Sequence, residues 1–215
     1  LSANHPLDGL VLLGALGLVL VVLYKNLWRA VLCIAPASLT VDSEDPPDRV
    51  QLPPELTPLA AELARLGFSS IGSRREKALF GPTTIFYDWA NAKERVFATL
   101  FLSTSGTPHL YYLTVSPNNG FVITANYRRP SREIPGVYLA GGMEDLPAER
   151  IYRAHLRRIE PMGALGEYTQ EGRLAAAEAW SAGPGRSEIR QQNLHGLVWT
   201  AGTLGILAAA VFGRR

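Results

Sequence analysis

The N-terminal apolar run constrains this chain more than any other feature. Leu10 to Leu23 reads LVLLGALGLVLVVL, fourteen residues without a polar side chain, and Gly9 and Tyr24 extend it to sixteen. A helix crossing a bilayer needs roughly 20 apolar residues, and the flanks supply the remainder. Pro6 suits a first helical turn. Tyr24, Lys25 and Trp28 are side chains that settle at a membrane interface. Leu27, Val31, Leu32 and Ile34 carry the apolar character onward. The expectation is a helix from Pro6 to Ile34 that leaves the lipid near Lys25. A cleaved signal peptide and a buried core helix are the alternatives. Ala35-Pro36-Ala37 resembles a small-residue cleavage site, but Lys25 and Arg29 separate it from the run, which favours a span.

The C-terminal end repeats the theme. From Gly196 to Gly213 only Trp199, Thr200 and Thr203 carry polar atoms, and Arg214 and Arg215 follow. Threonine hydroxyls can bond back to the helix backbone and so are tolerated in lipid. Ser187 can cap a helix over residues 188–213, ~39 Å long at about 1.5 Å per residue. Ala201, Gly205 and Ala209 lie four apart on it, a small-residue row that lets another helix approach closely.

The rest of the chain is water-compatible. Residues 36–192 hold 17 bases and 18 acids, and such a balance gives nucleic acid nothing to bind. Residues 36–58 contain six prolines and the acids Asp42, Glu44, Asp45 and Asp48, a composition that reads as an extended, solvated linker. Thr57 and Pro58 open a helix that Gly67 stops. Thr83–Trp89 and Arg95–Leu102 read as strands joined at Asn91-Ala92-Lys93.

A hairpin over Leu110–Tyr127 follows. A three-residue loop at 118–120 pairs Val115 with Ile123, Leu113 with Ala125 and Tyr111 with Tyr127. All six then share one face, with Gly120 as the left-handed residue. Asp145 is placed to cap a helix running to Ile159, and a further helix spans about Tyr168–Trp180 before a Gly-Pro-Gly break at 183–185.

The fold class expected is therefore an α+β membrane protein. N-terminal and C-terminal transmembrane helices flank a soluble domain with an antiparallel meander of four or five strands and three helices on one face. The boundaries are 1–34 for the first span, 35–57 for the linker, 58–182 for the domain and 183–215 for the second span.

Chemistry is sparse. His5, His109, His155 and His195 have no metal-ligand spacing, and the single cysteine, Cys33, excludes a multi-cysteine zinc site. His155, on the apolar face of its helix, reads as a hydrogen-bonded core histidine. Asp88 and Glu94 flank a hairpin turn, where carboxylates are ordinarily solvated. No nucleophile elbow, phosphate loop or dinucleotide fingerprint is present, so no catalytic, cofactor or metal residues are assigned.

Two interaction surfaces are assigned instead. Ala201, Gly205 and Ala209 would pack against other membrane helices. Arg128, Arg129, Arg132, Arg150, Arg153 and Arg157, with Arg158, would form a basic surface for anionic lipid or an acidic partner.

The function expected is a non-catalytic membrane subunit or scaffold, a membrane-protein complex component whose partners are lipid, other membrane-protein subunits or its own copies. The alternative is a membrane-tethered sensor with a ligand pocket lined by Tyr111, Tyr112 and Tyr138. The location expected is a bacterial inner membrane. By the positive-inside rule Lys25, Arg29, Arg186 and Arg190 favour the cytoplasmic side for the domain, while Arg214 and Arg215 argue for the opposite side.

Overall fold

The computed structural model describes residues 6–117 and 120–212. The hairpin-loop residues Asn118 and Asn119 and the terminal Arg214 and Arg215 lie outside them. The chain divides into two compact units, one of helices and one built on a sheet.

The helical unit comprises residues 1–39, 78–82 and 185–215. Helix α1, Pro6–Ile34, has the expected bounds. It stops because Ala35 precedes Pro36, and a residue before proline is pushed out of the α region; its φ and ψ are −124° and 75°. Helix α5, Gly185–Phe212, pairs with α1. It begins directly after Pro184, so Ser187 lies inside its first turn and not at the N-cap position.

The seam follows a heptad. Ile189, Asn193, Gly196, Thr200, Thr203 and the half-buried Leu207 alternate in steps of four and three on α5, the spacing of a coiled-coil stripe. On α1 the matching stripe is Val19, Val22, Asn26, Ala30 and Cys33. Gly196 permits the close approach. A Cβ there would meet the Arg29 side chain, with the Asn26 carbonyl at 3.2 Å and the Ala30 amide at 3.3 Å.

Polar seam residues turn back onto their own helices. Asn26 donates to the Val22 carbonyl at 2.8 Å, Asn193 to Ile189 at 2.8 Å and Thr203 to Trp199 at 2.7 Å. This satisfies these three side chains without a partner across the seam.

The sheet unit contains one eight-stranded mixed sheet, larger than the four or five strands expected. The strands are β1 (Thr40–Ser43), β2 (Ser69–Lys77), β3 (Thr83–Asn91), β4 (Val96–Leu102), β5 (Pro108–Ser116), β6 (Gly120–Ala125), β7 (Arg132–Ile134) and β8 (Tyr138–Gly142). Their spatial order is β1-β2-β3-β4-β5-β6-β8-β7, antiparallel throughout except for the β6–β8 pair. The meander is there as β2 to β6, and β1 adds an edge from residues that read as linker: Thr40 pairs with Lys77 and Ser43 with Arg74. Gly141 and Gly142 close β8.

The register of the β5–β6 hairpin differs from expectation by two residues. Leu113 faces Ile123, Tyr111 faces Ala125 and Val115 faces Phe121, and the last pair before the loop is Ser116 with Gly120. A shift of two leaves every side chain on its own face, so the apolar pattern could not distinguish the two pairings. Gly120 has no left-handed φ. It is needed because a Cβ there would run into the Ser116 hydroxyl and lie 2.9 Å from the Val137 carbonyl.

Both faces of the sheet are covered, which corrects the one-face arrangement. Helices α2 (Thr57–Arg65) and α3 (Ala148–Ile159) share a core with Val96, Ala98, Leu100, Leu110, Tyr112 and Val122. Helix α4 (Gln170–Ala182) covers Phe97, Tyr111, Leu113, Phe121, Ile123 and Ala125 on the reverse. Strands buried on both sides read as near-continuous apolar runs, and Val96–Leu102, interrupted by Thr99, is one. The α3 cap also differs. Pro147 holds the N-cap position, and Asp145 adopts φ +58° in the preceding turn.

Candidate functional site

The expected helix-packing row lies on the outside of the helical unit. Ala201, Gly205 and Ala209 are all exposed, and a Cβ added at Gly205 or Gly202 would meet nothing within 4 Å. The α1 contact uses the other side of α5, through Gly196, Thr200 and Thr203. So α5 presents two small-residue faces, one closed against α1 and one open.

The arginines do not all point outward. On α3, Arg150, Arg153 and Arg157 are exposed, and Arg153 pairs with Glu149 one turn earlier. Arg128 is exposed and Arg132 half-buried. Arg129 turns inward, donating to Tyr138 Oη at 3.0 Å beside the Trp180 ring. Arg158 also turns inward, donating to Thr124 Oγ1 at 3.2 Å, and burial lowers its pKa.

The tyrosines expected to line a pocket instead fill the core. Tyr111, Tyr112 and Tyr138 are buried. Tyr112 donates to the Ala148 carbonyl at 3.2 Å, and burial raises its pKa. A separate groove of about 460 Å³ runs along α4 between Val115, Phe121, Gly172, Ala175 and Ala179, with Glu167 and Glu171 at its rim.

The most concentrated polar chemistry gathers around a residue that the sequence pattern places in solvent. Asp88, expected in solvent, is 3% exposed. Arg74 Nη1 donates to both of its carboxylate oxygens at 2.5 Å, and Thr99 donates to Oδ1 at 2.6 Å. Arg173 approaches from α4, with Nε 3.3 Å from Asp88 Oδ1. Tyr111 Oη accepts from Arg74 at 2.7 Å and from Arg173 at 2.6 Å. Burial is the largest single influence and by itself would depress Arg74; Asp88, Tyr111 and Glu76 together outweigh it and leave the guanidinium pKa raised. A carboxylate so fully engaged is suited to clamping α4 onto the sheet, since its lone pairs already accept strong charge-assisted bonds. One signal for it exists in the sequence. Arg173, Ala176, Ala177 and Trp180 fall at i, i+3, i+4 and i+7, an inward stripe headed by an arginine.

His155 is a core histidine, as expected, and its neighbours fix its tautomer. Thr114 donates its hydroxyl to the Arg95 carbonyl at 3.1 Å, so it must accept from His155 Nε2, 3.1 Å away. Nδ1 is then the acceptor and takes the Thr124 hydroxyl at 3.0 Å, while Thr124 accepts from Arg158. The donors run in one direction from Arg158 to Arg95. Burial, helped by the Arg158 charge, pushes the imidazole pKa down to about 3, so the ring is neutral.

Among the described residues no three His, Cys, Asp or Glu side chains gather to hold a metal. One stretch, Leu13–Ile34, is long and apolar enough to cross a membrane; α5, with Gln191, Gln192, Asn193 and His195 in its first half, yields no second one among those residues. Compared with protein-family models, with curated proteins and with solved structures, the chain matches none.

Proposed function

We propose that this chain is a non-catalytic integral membrane subunit or scaffold of a bacterial inner membrane. Its helical unit sits in lipid, and its sheet unit serves as a partner-docking domain on the cytoplasmic side. The exposed apolar surface of α1 supports the membrane assignment. Leu13, Leu16, Leu18, Leu20 and Val21 are 48–67% exposed, and a contiguous patch of this kind in water would be an association liability. A buried core helix would cover these side chains.

The observation that carries the subunit assignment is the open face of α5. Gly196 shows what a small residue does on this helix when a neighbour is present, and the Ala201–Gly205–Ala209 row offers the same surface with nothing on it. In lipid such rows support close van der Waals packing of helices. Gly205→Leu should abolish co-purification of a partner subunit or second copy from mild detergent while leaving the chain folded. Unchanged assembly would sink the proposal. A second reading, a tethered ligand-binding protein, is favoured by the apolar groove along α4. Saturable binding of a small apolar ligand that Ala175→Trp removes would support it.

A further inference from the structure

The turn between β2 and β3 belongs to the helical unit, not to the sheet whose strands it joins. Ala78 is buried, and the Gly81 amide donates to the Ala78 carbonyl at 2.9 Å, closing a four-residue turn. Gly81 lies against α1: a Cβ there would stand 3.2 Å from the Trp28 ring. The turn is therefore fixed at the level of Trp28, where the apolar run ends and the Tyr24-Lys25 border begins.

The two central residues are the unusual ones. Leu79 is 50% exposed and Phe80 69% exposed. Phe80 also has φ +61°, at the turn position that glycine or asparagine ordinarily takes. A bulky side chain rarely adopts this conformation, and an exposed ring gains nothing from water in return. On α1 the residues flanking Trp28 are exposed as well: Tyr24 is 82% exposed and Leu27 40%. Two side chains fall far short of the roughly 800 Å² per partner of a stable protein interface. Beside an interfacial Tyr-Lys-Trp border they match the apolar wedges that enter the headgroup–acyl boundary.

We infer that the Leu79-Phe80 turn is a lipid anchor, inserting both side chains at the membrane interface next to Tyr24 and Trp28. This rests on the membrane reading of α1. It gives the protein a second point of lipid contact that fixes the height of α1 in the bilayer.

The test uses the full chain in phosphatidylcholine/phosphatidylglycerol vesicles, with Cys33→Ser as background. An environment-sensitive fluorophore is attached at Leu79→Cys or at Leu16→Cys. Quenching by spin-labelled lipid is compared with quenching by aqueous iodide. The expected result is acyl-depth quenching at position 16 and shallow lipid quenching at position 79, the latter lost at least severalfold when Phe80→Asp is added. A lipid-quenched position 16 with an iodide-quenched position 79 would overturn the anchor and leave the span intact. Iodide quenching at both positions would overturn both. Lipid quenching at position 79 that persists in Phe80→Asp would contradict the role given to Phe80.

Discussion

Asp88 and His155 show how differently two buried polar residues can be held. Asp88 is held by charge. Arg74 and Arg173 meet on it from β2 and α4, and removing one partner from a buried ionic cluster is costly because the others remain desolvated. Asp88→Ala should destabilise the sheet unit by about 3–5 kcal/mol, read as a lowered midpoint of thermal unfolding in detergent. His155 is held by hydrogen bonds to a neutral ring. Its pKa is lowered on folding to about 3, so the unfolded chain takes up the proton first. The stability it contributes is complete above the ordinary histidine pKa of about 6.5 and is lost as pH falls from there toward the folded value. Wild type should lose about 1.4 kcal/mol more per pH unit than His155→Gln well inside that window, and about half as much between pH 7 and 6, measured by denaturant unfolding at pH 7, 6 and 5. His155 was legible from its place on an apolar helix face. Asp88 was not, because Arg74 and Arg173 lie 14 and 85 residues away and no local pattern joins them.

Elements were legible in proportion to how strongly their own residues determine them. The bounds of α1 follow from an unbroken apolar run and a proline just beyond its end. The strands β3 to β6 follow from apolar alternation and turn residues. β1 and β2 were hidden because they are polar strands, β1 at the edge of the sheet and β2 beside it. Ser69–Lys77 carries four charges, and its pairing is decided by neighbours distant in sequence. Helix α4 was found, but its face on the sheet was not, since strands apolar on both sides give no preference.

The seam between α1 and α5 allows a test at this scale. Gly196→Leu forces a side chain against Arg29 and the α1 backbone. Overpacking of this kind costs about 1–3 kcal/mol, so its unfolding midpoint in detergent should fall. Gly205→Leu, with no atom within 4 Å, should leave that midpoint unchanged. Equal loss in both variants would contradict the assignment of one face to α1 and the other to a partner.

At the scale of the whole molecule the account rests on the division into a helical and a sheet unit. Each has its own internal logic: a heptad seam of small and short polar residues in one, two apolar layers around a mixed sheet in the other. The helical unit exposes leucines that water does not favour, and the sheet unit hides its apolar residues on both faces. The chain's near-neutral middle and apolar ends had announced this contrast, while the eight-stranded size of the sheet emerged only from long-range pairing.

The most direct test of the central claim is extraction of the full chain from its native membranes with alkaline carbonate, which strips peripheral proteins and leaves those embedded in lipid. The account predicts that the protein stays in the membrane pellet and is released only by detergent. Recovery of the folded chain in the carbonate supernatant would contradict it.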